Sequence, residues 1–332
     1  MNLWNHGPDA ADERQRGGEV SAARLGVLRE AQDARFARLD PLLVATAAEP
    51  AGEQLSVALP SGRRVAGVLA RTVHGPGAPT SLWSARDAWE LFPFVGDDPG
   101  PGLHALLGAW RRLMDRSGRP DHDSACVVTW PSRDVEGSNM LLRHGFVPLS
   151  VLAVRRPAVP VDQCEPPLGL AIRRAVGSDV ETAVQLALAE MSYSAMVGGT
   201  IVRPDAADIK RIALRYRVGN DDMVWLVERD GVAIALAECW VTDSNPGARH
   251  RFPVPTGRWG YVNTVSVLPG VRGAGVGRAL MALVHRELYR AGVTGTYLYY
   301  NPPNPLSSVF WPRQGYRPLW TIWETRPAWA LR

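Results

Sequence analysis

The chain has 332 residues, 46% hydrophobic and 21% charged, which suits about two ordinary domains and is too apolar for a disordered protein. No apolar run reaches the roughly 18–20 residues that span a bilayer, so a membrane partner is not expected. The net charge is only +4, from 37 Lys plus Arg against 33 Asp plus Glu, and its dispersal argues against nucleic acid. Lys210 is the single lysine.

Residues 1–19 are polar, mixed in charge and without the apolar stretch of a secretion signal, so a disordered terminus and a cytoplasmic protein are expected. Residues 20–43 read as a helix. Residues 55–59 and 65–71 flank Ser61-Gly62 as a hairpin. Residues 89–95 read as a strand, 103–114 as a helix, 125–129 as a strand, and a short helix ends near Arg143. Residues 158–168 are proline-rich and read as a linker. Beyond it, 170–174 is a strand, and 178–194 and 204–217 are helices. Residues 223–228 and 232–241 form a hairpin through Asp230-Gly231. Residues 244–258 are a long polar loop, 261–268 a strand and 276–290 a helix. Residues 296–300 are a strand, 304–313 a short helix and 316–324 the last strand. Such an order predicts α/β architecture around a mixed sheet. Cys126, Cys164 and Cys239 are far apart, with no CxxC or His/Cys cluster, so no metal is expected.

Two segments half a chain apart read alike: 143–157 and 313–327 share Arg, Gly, Pro, Leu, Arg and Pro in register, with Phe146 matched by Tyr316. Duplication is the simpler explanation.

The run Pro269-Gly-Val-Arg272-Gly273-Ala274-Gly275-Val276-Gly277 lies between a predicted strand and a predicted helix. Glycines there permit a tight turn and close approach of an anion to helix N-terminal amides. The absence of Gly-Lys-Ser/Thr excludes a P-loop, and the glycine spacing excludes a dinucleotide fingerprint. A merely structural glycine turn is the bland alternative.

Arg272-Gly-Ala-Gly275-Val-Gly277 resembles the coenzyme A pyrophosphate signature of the GNAT superfamily of N-acetyltransferases. The stretch Asn304-Pro-Leu-Ser307-Ser-Val-Phe310-Trp311, followed by Gly315-Tyr316, resembles a second family pattern. The resemblance covers roughly residues 170–327. With the repeat, it implies two tandem GNAT-like domains, each a mixed, mainly antiparallel sheet flanked by helices: a degenerate copy at 20–157 and a catalytic copy at 169–332. The first copy has Asp97, Asp98, Pro99 and Pro101 where the anion loop would lie, so it is not expected to bind coenzyme A.

The resemblance implies an acyl-CoA-dependent N-acyltransferase with acetyl-CoA or another acyl-CoA as co-substrate. It implies cofactor contacts from Val265, Val267, Arg272, Gly273, Ala274, Gly275, Val276, Gly277, Asn304 and Ser307. The Val267 backbone N–H would polarise the thioester. The family's strand glutamate is missing, since Asn263 and Thr264 stand there; Glu238 is the substitute expected as base, ahead of His250 and Glu324. Trp311 replaces the family's acidic tyrosine, leaving Tyr300, Tyr316, Ser307 or water to meet the thiolate. His250, Trp240 and Glu324 are expected near a small-molecule amine. An acyl carrier protein is a possible donor, met by Arg249 and Arg251, and a coenzyme A-binding module without catalysis is the rival function.

Overall fold

The computed structural model describes residues 25–44, 51–116, 120–157, 169–244 and 254–331. The expected disordered terminus, the linker at 158–168, His250, Arg249 and Arg251 lie outside them. The first half comprises α1 (25–39), β1 (Glu53–Ala58), β2 (Arg64–Val73), β3 (Asp87–Phe94), α2 (Pro99–Arg116), β4 (Ser124–Pro131), α3 (Val135–Arg143) and β5 (Val147–Arg155). The second half comprises β6 (Leu170–Arg174), α4 (Val180–Met196), α5 (Ala206–Gly219), β7 (Met223–Arg229), β8 (Val232–Ser244), β9 (Gly257–Val267), α6 (Val276–Arg290), β10 (Gly295–Tyr300), α7 (Ser307–Arg313) and β11 (Arg317–Thr325). Helix α2 starts earlier than its apolar pattern suggested, because Pro99 opens its first turn, where a missing N–H costs nothing.

All eleven strands form one sheet, in the order β1-β2-β3-β4-β11-β5-β10-β9-β8-β7-β6. Most neighbours are antiparallel; β3 with β4 and β9 with β10 are the two parallel pairs. The last strand of each half pairs beyond its own half: β11 against β4, and β5 against β10. At the middle of the sheet β5 and β11 pair with each other. These are the two similar sequence segments, and they share a conformation. Gly145 and Gly315 both adopt positive φ, 82° and 84°. Phe146 N donates to Leu141 O, and Tyr316 N to Trp311 O, closing the same helix stop.

On one face of the sheet, α6 buries Leu280, Val284 and Leu288 with Ala235, Val262 and Leu298. Helix α4 sets Val184 and Ala187 with Leu226 and Leu236, joined there by Leu214 of α5. Each such aliphatic side chain contributes about 1.5–3 kcal/mol. The halves are also tied at the segment between α4 and α5. Arg203 is buried; its Nε donates to Ser81 O at 3.0 Å, and its Nη2 to Ser84 O at 3.1 Å and Asp123 Oδ1 at 3.0 Å. No described helix is long and apolar enough to cross a membrane.

Candidate active site

Parallel pairing of β9 with β10 runs only from Trp259↔Gly295 to Val262↔Leu298. From Asn263 onward that edge of β9 has no strand beside it, and a gap opens. On its other edge, Leu268 N donates to Ile234 O. Because backbone direction alternates with period two, the N–H and C=O groups of Val265 and Val267 turn towards the gap. Opposite β8 the register skips one residue, with Glu238 facing Thr264 and Cys239 facing Val262. Asn263 is therefore the extra residue of a bulge, a device that re-aims side chains.

Past β9 the chain turns through the predicted glycine loop into α6. Gly273 and Gly275 both have φ of +80°, a conformation that favours glycine. Gly275 stands at the N-cap of α6 without a side-chain cap. Among the described residues, the N–H groups of Gly273, Ala274, Gly275, Val276 and Gly277 donate to no other backbone group. Gly277 lies against the Phe310 ring, which a Cβ there would meet at 3.4 Å. Arg272 does more than the sequence suggested: its Nε donates to Val267 O at 2.9 Å, and its guanidinium lies 5.0 Å from the Tyr193 ring centroid. It clamps the loop to the strand end and to α4.

Gap and loop open into a cavity of about 1450 Å³. Val265, Val267, Arg272, Gly273, Gly275, Val276, Gly277, Asn304 and Ser307 line it; Ala274 does not, being turned to solvent. Asn304 Oδ1 accepts from Leu306 N at 3.0 Å and Ser307 N at 3.2 Å, so the residue shapes the entry to α7 while lining the cavity. Tyr300 also lines it, and burial pushes its phenol up. Tyr316 is committed elsewhere: its hydroxyl accepts from Thr296 Oγ1 at 2.9 Å and lies 3.0 Å from His285 Nε2. Trp311 packs on Phe310 and Tyr316.

Two further expected residues do not reach the cavity. Trp240 stands outside its lining, edge-on to Tyr261 and with the Arg217 guanidinium 3.5 Å from its ring centroid; β8 lies one strand further from the gap, so Tyr261 stands between it and the site. Glu238 is buried behind the cavity wall. Its Oε2 accepts from Asn263 Nδ2 at 2.7 Å and pairs with Lys210 Nζ at 3.4 Å. Glu324 does line the cavity, and Arg326 Nη2 donates to its Oε1 at 2.8 Å. Burial raises its carboxyl, against the pull of Arg326.

The sequence reading missed Glu190 of α4. It lines the cavity, and Ser194 Oγ donates to its Oε1 at 2.6 Å. Burial lifts its carboxyl above the usual range, with Ser194 and Lys210 acting against that rise. The available signal was a carboxylate and a serine one turn apart, beside Ala187 and Met191 on an otherwise buried stripe. The charge of the cavity is divided. Arg155, Arg156, Arg278 and Arg313 lie on the wall beside α6 and α7, whereas Glu90, Glu190 and Glu324 come from β3, α4 and β11. The first half supplies part of this second wall, including His74, Trp83 and Thr129.

The profile of the acetyltransferase (GNAT) family matches residues 192–316, which contain the splayed strand, the amide loop and α7. Residues 192–316 thus resemble a GNAT acetyltransferase domain. Mycothiol acetyltransferase of Beutenbergia cavernae is 26% identical over 157 residues, 46% of this chain and 47% of that protein. The alignment thus spans about half of the curated relative. A GCN5-related N-acetyltransferase from Sphaerobacter thermophilus superposes with a TM-score of 0.54 at 15% identity, covering 85% of this chain and 83% of its own. It shares the fold across both halves. The loop fits the diphosphate of an acyl-CoA on its own geometry: unpaired amides at a helix start, a wall with arginines, and a strand edge free to pair with an extended arm. Among the described residues no three His, Cys, Asp or Glu side chains gather as a metal site.

Proposed function

We propose that the protein is an acetyl-CoA-dependent N-acetyltransferase that passes the acetyl group directly to a primary amine of a small cationic molecule. The observation that carries this reading is the continuity of one cavity from the amide loop, past the open edge of β9, to a wall bearing three carboxylates. The N–H groups of residues 273–277 hold the diphosphate; charge-assisted hydrogen bonds of this kind contribute about 1.5–3 kcal/mol each. The Val265–Val267 edge pairs with the pantetheine arm, and the Val267 N–H faces the thioester oxygen, a role worth about 3–4 kcal/mol in related chemistry. The bound thioester supplies an acyl carbon with a thiolate leaving group.

The acidic wall attracts the acceptor as an ammonium ion, which must lose a proton before it attacks. At pH 7 that costs about 4.6 kcal/mol for an amine of pKa about 10.4. The neutral amine attacks the carbonyl carbon, the carbon–nitrogen bond forms, and the carbon–sulfur pair leaves with the thiolate. The proton remaining on nitrogen passes to the thiolate. Tyr300 stabilises that thiolate by hydrogen bonding rather than by giving up its proton: transfer from phenol to thiolate is uphill by about 2 kcal/mol before burial is counted.

The test is thiol release from acetyl-CoA against a panel of polyamines, amino sugars and amino acid amides. Thiol release matched by acetylated amine is the expected result. Coenzyme A binding without thiol release for any of these acceptors would leave a binding module instead.

A further inference from the structure

The only lysine of the sequence is buried where α5 meets β8 and β9. Lys210 Nζ lies 3.2 Å from Thr264 Oγ1 and 3.4 Å from Glu238 Oε2, and 5.5 Å from the Trp83 ring centroid. Thr264 and Trp83 both line the cavity, and so does Glu190 on the helix packed beside α5. A buried cation is costly unless paired, and Glu238, which no solvent or cavity surface reaches, is that pair. Glu190, in contrast, lines the cavity with one oxygen held by Ser194.

We infer that Glu190 is the general base for the acceptor amine, and that the Lys210–Glu238 pair behind Thr264 and Asn263 is a positioning element for it. This rests on the acetyltransferase reading above. Ser194 on its own helix bonds Glu190; Tyr193, Asn263, Thr264, Arg272, His74, Trp83, Glu90 and Glu324 line the same cavity, with Lys210 of α5 and Glu238 of β8 behind Thr264 and Asn263. Among the cations, Lys210 is the one that acts on the Glu190 carboxyl, and Arg272 is spent on Val267 and Tyr193. His74 is neutral in this setting: burial and Arg203 hold its imidazolium below the usual range. Proton balance is simple. The acceptor ammonium gives one proton to the Glu190 carboxylate, the amide nitrogen gives its second to the departing thiolate, and Glu190 returns its proton to solvent. The net products are amide, free thiol and one proton.

The experiment is the pH profile of kcat, measured with saturating acetyl-CoA and the best amine of the panel, with coenzyme A affinity recorded for every variant. Glu190→Gln is expected to lower kcat by about 100-fold or more and to abolish the acid limb, with coenzyme A affinity unchanged. Lys210→Met is expected to move the acid limb up by about one pH unit, since loss of the cation favours the protonated carboxyl. Lys210→Met combined with Glu238→Gln removes both buried charges, avoids an orphaned carboxylate, and is expected to show a smaller upward shift, because the lost anion offsets part of the lost cation. An acid limb retained in Glu190→Gln, one that follows His74→Gln instead, or one unmoved in the double variant overturns the assignment. Failure of the wild type to transfer acetyl to any amine overturns the underlying reading, not this step alone.

Discussion

Gly275 carries the most local demand of the site. Its φ of +80° at the start of α6 costs a β-branched residue about 1–2 kcal/mol in backbone strain and aims a side chain into the anion loop. Gly275→Val is therefore expected to weaken coenzyme A binding at least about tenfold, read by calorimetry. Tyr300→Phe removes one hydrogen bond to the thiolate and is expected to lower kcat only about tenfold; a drop of a thousandfold or more would make Tyr300 a proton donor. His285 is buried against Tyr316, and burial with Arg155 nearby drives its imidazole down to about 3. The unfolded chain takes up that proton near pH 6.5 and the folded chain does not. Stability is thus full above pH 6.5 and falls as pH drops from there towards 3. Melting temperature measured from pH 7.5 to 4.5 is expected to fall less steeply in His285→Gln.

Among the elements, what the sequence disclosed and what it withheld separate by range. Helix α6 begins and ends at the residues its periodicity named, because Gly275 stops one conformation and starts another. The glycine loop at 272–277 was legible for the same reason. The bulge at Asn263 was not: its cause is the pairing of Glu238 with Thr264 across a strand, a contact between distant residues. Glu238 itself was a sound guess from residue type, but alternation along β8 points it at Lys210 rather than into the cavity. Glu190 was missed because a lone carboxylate on a helix reads as a solvated face, and only the packing of α4 over β9 turns it inward. In the first half, the loop before α2 holds Asp97 paired with Arg38 at 3.2 Å and Asp98 paired with Arg63, and a Cβ at Gly102 would sit 2.7 Å from Val95. The carboxylates and the missing proline N–H groups disfavour a diphosphate there, so a single coenzyme A per chain is expected.

At the level of the whole molecule, the repeat at 143–157 and 313–327 was visible, yet the exchange of β5 and β11 between halves was not. A strand's period-two pattern is the same whichever strand lies beside it, so the sequence could not say that β5 sits between β10 and β11. The consequence is mutual dependence. A fragment of residues 169–332 would expose the edges of β10 and β11 that β5 covers, and is expected to be unfolded or aggregated by circular dichroism and size exclusion. Asp123→Asn weakens the charged bond that ties the first half to the segment between α4 and α5. It is expected to lower stability by about 1.5–3 kcal/mol in urea unfolding and to raise KM for the amine more than for acetyl-CoA.

Calorimetric titration of the intact chain with coenzyme A tests the central claim most directly. One molecule is expected to bind per chain, with affinity reduced at least about tenfold in Gly275→Val while the free protein stays folded and melts only a few degrees lower. Absence of binding heat, a stoichiometry of two, or an unchanged affinity in that variant would contradict the placement of the donor on the amides of residues 273–277.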